Sequence, residues 1–250
     1  MSKNKKIIGM IVCSFVLTIA LAGCTKPERY EQFSKTDQSL SWTNKRERSF
    51  GDSDYSNLKT EDEAFDLLKD KYQLSIPTYY EDTKKLVNQM IPTKNIKAGE
   101  NKYSVFARNK KLEFKTIYPF YKEKELELFA EVNLNYEYSV DQKQAYLQSQ
   151  IIKITISKVK GKLPKDNLSE LIRELGKNMK LPEKAIVSGV AGYEKRVKEA
   201  VEPITEDYLP VVSNSSGLKK NEEFLKEIAV VYDQEGTVRE IYAEISEQRE

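Results

Sequence analysis

The sequence predicts an α+β fold: an antiparallel sheet of about six strands with about four helices packed on it, after a signal peptide and a flexible tether. Three observations predict it. Apolar residues alternate with polar ones, with period 2, between residues 103 and 156 and again from 228 to 245. Helical periodicity, bounded by capping residues and prolines, fills residues 61–90 and 168–203. The first 57 residues follow neither rule, being an uncharged apolar run and then a polar one. The expected organisation is a leader at 1–23, a tether at 24–57 and one α+β domain at 58–250.

Residues 1–23 read in three parts. Ser2–Lys6 is basic, Ile7–Ala22 is apolar with no charge, and small residues close the run. Sixteen residues fall short of the ~20 that a membrane-spanning helix needs and suit the core of a signal peptide. Leu21-Ala22-Gly23-Cys24 resembles the lipobox of bacterial lipoprotein precursors. That resemblance implies a diacylglyceryl group on the Cys24 sulfur and cleavage between Gly23 and Cys24. It covers the first 24 residues alone and says nothing of the domain. Acyl chains contribute ~0.8 kcal/mol per buried CH₂, so two or three of them anchor a protein firmly where one does not.

Thr25–Asn57 has no Val, Ile or Met, and its apolar content is Leu40 and scattered aromatics. So little apolar surface does not offset the entropy of ordering, which favours a tether. The competing reading docks Phe33, Trp42 and Phe50 on the domain. Lys45, Arg46 and Arg48 keep this stretch soluble, with contact to anionic lipid beside the anchor as the alternative.

The first helix spans Glu61–Tyr72, with Thr60 and Glu63 as a capping box and Ala64, Phe65, Leu67, Leu68 and Tyr72 as its apolar stripe. A second spans Glu81–Met90 between Pro77 and Pro92. Tyr103, Val105 and Ala107, then Leu112, Phe114, Thr116 and Tyr118, form a hairpin about Asn109-Lys110. A long strand follows with Leu126, Leu128, Ala130, Val132, Leu134, Tyr136, Tyr138 and Val140 on one face and Glu125, Glu127, Phe129, Glu131, Asn133, Asn135, Glu137 and Ser139 on the other. A turn at Asp141–Lys143 returns the chain so that Ala130 faces Ile154 and Glu131 faces Lys153; a one-residue slip would bury the glutamates. Leu168, Leu171, Ile172, Leu175 and Met179 mark a third helix. The fourth runs from Pro182 to Pro203. Val211–Lys220 reads as a loop, and a hairpin turning at Asp233–Gly236 closes the chain.

Composition narrows the function. There is no histidine among 250 residues, which removes the commonest general base and the usual zinc ligand. Lys3, Lys5 and Lys6 account for the formal charge of +2; residues 24–250 hold 38 basic and 39 acidic groups, a balance that gives no case for nucleic acid. Cys13 lies in the leader and Cys24 is the anchor, which leaves no disulfide. Abundant Lys, Ile, Asn and Tyr with little Ala and Gly point to an AT-rich, Gram-positive source.

Four motifs bear on chemistry. Asp52, Asp54, Ser56 and Glu63 fall at positions 1, 3, 5 and 12 of an EF-hand-like calcium loop, but Asn57 stands where glycine is wanted and Glu63 also serves the capping box. A capped helix is the preferred reading, with no metal. Ser216 and Lys219 have the Ser-x-x-Lys spacing of penicillin-interacting enzymes, whose companion motifs are absent. Gly189-Val190-Ala191-Gly192 lacks phosphate-loop spacing and reads as a close approach of helix to sheet or a break between two helices. Among 15 tyrosines, Tyr118 and Tyr121 with Phe120 form a candidate binding surface, the alternative being sheet–helix packing. The expectation is a lipid-anchored, extracytoplasmic, noncatalytic protein of the cell membrane. It uses no cofactor and binds an envelope or host protein; a solute-binding or carrier lipoprotein is the alternative.

Overall fold

A computed structural model describes residues 31, 33–157, 168–205, 208–215 and 223–248. The chain divides into two units, Met1–Phe33 and Ser34–Glu250, and the sheet and its helices belong to the second. The leader, Gly23, Cys24 and the Ser216–Lys219 motif lie outside the described residues.

The described strands are β1 (Thr43–Lys45), β2 (Ser53–Leu58), β3 (Ile96–Ala98), β4 (Lys102–Arg108), β5 (Lys111–Lys122), β6 (Glu125–Ser139), β7 (Gln144–Ile156), β8 (Leu209–Ser213), β9 (Phe224–Tyr232) and β10 (Val238–Glu247). All ten join one antiparallel sheet in the order β2-β4-β5-β6-β7-β10-β9-β8, with β1 beside β7 and β3 beside β5. The described helices are α1 (Lys35–Gln38), α2 (Glu61–Tyr72), α3 (Thr78–Met90), α4 (Leu168–Asn178) and α5 (Glu183–Glu199). The expected α+β sheet of six strands with four helices is therefore corrected. The molecule is mostly β, built on one ten-stranded sheet among the described residues, and its strands hold more residues than its helices.

The long strands sit where their period placed them. Ala130 pairs with Ile154 and Glu131 with Lys153, so the aliphatics share one face and opposite charges the other. Helix α2 begins on its capping box: Thr60 Oγ1 accepts from the Glu63 amide at 3.1 Å, and Glu63 Oε2 accepts from the Lys59 amide at 2.8 Å. It ends on a left-handed cap: Gln73 has φ 57°, and the Gln73 and Leu74 amides donate to the Lys69 and Leu68 carbonyls.

Residues 34–57, expected to be tether, are instead part of the fold. β1 pairs with β7 and β2 with β4, through backbone bonds that need no apolar run. Three side chains supply the burial that the composition concealed. Leu40 is fully buried, and its carbonyl accepts from Gln150 Nε2. Trp42 meets Tyr136 edge-on at 5.7 Å, and Phe50 meets Tyr72 at 6.2 Å. Asp37 of α1 lies 3.5 Å from the amine of Lys226, a nearly buried lysine.

The helices bury one face of the sheet. Phe65 of α2 and Tyr80 of α3 pack on Phe114 of β5. Tyr193 of α5 shares a hydrogen bond with Tyr232 of β9 at 2.7 Å. At Gly189 an added Cβ would lie 2.4 Å from the Val211 carbonyl oxygen, so α5 rests directly on β8. Gly192 has open space around it, so only the first glycine of the pair makes the expected approach.

Candidate functional site

Along β5, β6, β7 and β10 burial largely alternates: residues under the helices are buried and most of their neighbours on the other face are half-buried. The ring contacts and hydrogen bonds that tie helices to sheet run to the buried face, at Phe114, Thr116, Tyr118 and Tyr232. Among the described residues no helix packs on the opposite face, where most side chains are half-buried and are ordered by their neighbours across the strands.

That order can be followed from strand to strand. Lys115 stands between Glu113 at 3.5 Å and Glu131 at 3.6 Å. Asn133 donates to Glu131 at 2.8 Å, and Asn135 donates to Ser149 at 2.9 Å. Lys153 lies over the Tyr242 ring at 5.9 Å, and Thr155 donates to Glu240 at 3.0 Å. Tyr208 and Tyr242 meet edge-on at 5.9 Å, with their hydroxyls donating to Glu227 and Glu244. Burial, then these carboxylate bonds, push both phenols above their ordinary pKa, so they remain protonated donors. Toward β9 and β10 this face is acidic and aromatic.

At the other end a cavity of about 380 Å³ opens on the same face. Its walls come from Phe106 and Arg108 of β4, Lys111, Leu112 and Glu113 of β5, and Asn135, Tyr136 and Glu137 of β6, with Gln148 of β7. The β6–β7 register shifts between Asn135 and Tyr136, so an extra residue, Gln148, enters β7 beside the cavity. Such a groove, with Phe106, Leu112 and Tyr136 among balanced charges, offers a partner apolar contact framed by polar groups.

The residues singled out by sequence fall elsewhere. Tyr118 and Phe120 are buried beneath the helices and present no surface. Tyr121 is half-buried, with its ring against Gly99. Tyr118 instead shares a hydrogen bond with Tyr80 at 3.0 Å, and Tyr80 reaches Thr116 at 2.9 Å and Glu61 at 3.0 Å. Glu61 also takes a hydrogen bond from Lys84. Burial raises the Tyr80 and Tyr118 pKa values. Burial lowers that of Lys84, and its bond and charge contact with Glu61 outweigh this and raise it. These shifts hold every proton in its resting place, as suits a tie between helix and sheet rather than a base or nucleophile.

The calcium-loop candidates do not converge either. Asp54 and Ser56 lie in extended strand β2 rather than in a loop. Asp52 accepts from the Asn109 amide at 3.0 Å, and Glu63 is held in its capping box. Among the described residues no group of three or more Cys, Asp or Glu is placed to hold a metal ion. No helix among them is long and apolar enough to cross a membrane.

Sequence reasoning assigned Glu131, Asn133 and Asn135 to a solvated face without seeing that face as a site. The alternation signalled it, but which face the helices cover is a tertiary fact. The chain matches no protein-family model, no curated protein and no solved structure.

Proposed function

We propose that the protein is a lipid-anchored, extracytoplasmic binding protein of the cell membrane, noncatalytic, with the sheet face opposite the described helices as the partner-facing surface. The observation that carries the binding reading is the sheet face on which none of the described helices packs. It offers ordered tyrosines among carboxylates, together with a groove, on a rigid ten-stranded support. Tyrosine supplies rigid amphipathic contact area at low entropic cost, and clustered carboxylates favour a partner with basic residues. The partner is an envelope or host protein. Support for the anchor is the run from Ser2 to Cys24, read from sequence alone.

Two measurements test the two halves. Cys24→Ala abolishes metabolic labelling by a fatty acid; persistent labelling overturns the anchor. A photo-crosslinking residue at Tyr242 or Phe106 gives a discrete protein adduct on intact cells, whereas one at Lys195 on α5 gives none. Equal adducts at all three positions, or none at any, overturn the assignment of the face.

A further inference from the structure

A second cavity is strongly basic, unlike the balanced groove beside β4. It measures about 330 Å³ and is lined by Lys45, Arg46, Glu47, Arg48, Lys71 and Gln73, where the chain leaves β1 and α2 ends. Four cations meet one carboxylate, and that carboxylate, Glu47, is already engaged by Lys143 at 3.1 Å. In a chain that is nearly neutral beyond its leader, this is a local excess of positive charge.

The cavity is also built. Arg46 donates through Nη1 to the Tyr72 carbonyl at 2.6 Å and through Nη2 to the Ser49 carbonyl at 3.3 Å. Its guanidinium sits 4.7 Å over the Phe50 ring. Its Nε is buried and has no acceptor in the protein. Burial, and next the charge of Arg48, lower its pKa from the ordinary arginine value, a strain that a bound anion relieves. Lys71 is held over Tyr55 and Tyr72, and its amine donates to the Tyr55 hydroxyl at 2.6 Å. Lys45 and Arg48 are exposed. A fixed guanidinium with a spare donor and three further cations around it is an arrangement for a phosphate-type oxyanion.

Chain length chooses among oxyanions. Ser34 already belongs to the folded unit, so ten peptide steps separate it from Cys24. Fully extended, they reach about 35 Å. A lipid on Cys24 therefore keeps the domain within one such length of the headgroups. We infer that the Arg46 cavity receives the phosphodiester of an anionic phospholipid headgroup, so that the domain lies against its own membrane rather than swinging free on its anchor. This rests on the lipoprotein reading, and it leaves the sheet face of Tyr208 and Tyr242 for the partner.

The test uses the lipidated chain in phosphatidylcholine vesicles with and without phosphatidylglycerol, reading lysine acylation by mass spectrometry. Lys45 and Lys71 should react roughly fivefold more slowly when phosphatidylglycerol is present, the effect of about one basic contact with a charged surface. Lys184 on α5 should not change. High salt should remove the difference. Arg48→Gln, an exposed change that leaves the Arg46 bonds intact, should restore much of the Lys71 reactivity. Equal reactivity in the two vesicles overturns the inference. So does protection in pure phosphatidylcholine by free glycerol phosphate without protection by phosphatidylglycerol, which would mark a soluble-phosphate site. Fatty-acid labelling of Cys24 on the same sample separates the two readings. A labelled but unprotected chain fails the headgroup site alone, and an unlabelled chain fails the anchor and this inference with it.

Discussion

The hydroxyl of Tyr136 is buried and donates to the Ser75 carbonyl at 2.9 Å. Tyr79, Tyr80 and Tyr118 are buried beside it in the layer between sheet and helices. Desolvation is the first cause raising the pKa of all four. In the unfolded chain they titrate near the ordinary value of ~10. The sign follows: above that pH the folded state holds more protons than the unfolded one, so stability falls as pH rises. Urea unfolding should therefore give a constant contribution from these groups below about pH 10 and a steep loss above it. Tyr136→Phe should blunt the alkaline loss and cost ~1 kcal/mol at neutral pH, where the Ser75 carbonyl loses its donor. An unchanged alkaline slope in that variant contradicts the burial assigned here. The tyrosine excess, visible at once in the sequence, thus serves packing at Tyr118 and display at Tyr208 and Tyr242. Counting tyrosines does not separate the two roles; the face on which each lies does.

Elements were legible to the degree that side chains, rather than backbone, defined them. The β6–β7 register could be read because glutamates alternate with aliphatics over a long strand, and Glu131 opposite Lys153 leaves no second solution. Helix α2 could be read because Thr60 and Glu63 mark its start. Strands β1, β2, β3 and β8 could not. They are short edge or off-path strands held by backbone bonds, and β1 and β2 pair with neighbours far away in sequence. In β8, Val211 and Val212 were lost in what read as a loop, and in β1 the anchoring side chain, Trp42, precedes the strand. The two glycines of α5 give a paired test of element packing. Gly189→Ala should cost ~1–3 kcal/mol, because its Cβ would meet the backbone oxygen of Val211. Gly192→Ala should be neutral or stabilise by up to ~1 kcal/mol, since nothing lies within 4 Å and alanine favours the helix. Equal melting shifts for the two variants would mean that α5 does not rest on β8 as described.

At the scale of the whole molecule, one sheet separates two environments. Beneath it, helices and tyrosines close a core; above it, the same strands present ordered charge and rings. The mixed helical and alternating pattern was read as α+β because each helix and strand was weighed alone. The four strands that the pattern hid turn the balance to a mostly β molecule. The candidate site was legible only as a solvated face, since nothing in a strand's alternation says which side the helices will take. Two surfaces of different character follow, the basic Arg46 cavity and the sheet face that carries Tyr208, Tyr242 and their carboxylate partners.

The most direct measurement is carboxylate footprinting of the anchored protein on intact cells, compared with the same protein purified in detergent. The account predicts that Glu113, Glu131, Glu227 and Glu244 lose reactivity on cells, while Glu183 and Glu199 at the ends of α5 react equally in both. Unchanged reactivity of the four sheet glutamates, or equal protection of the α5 pair, would contradict it.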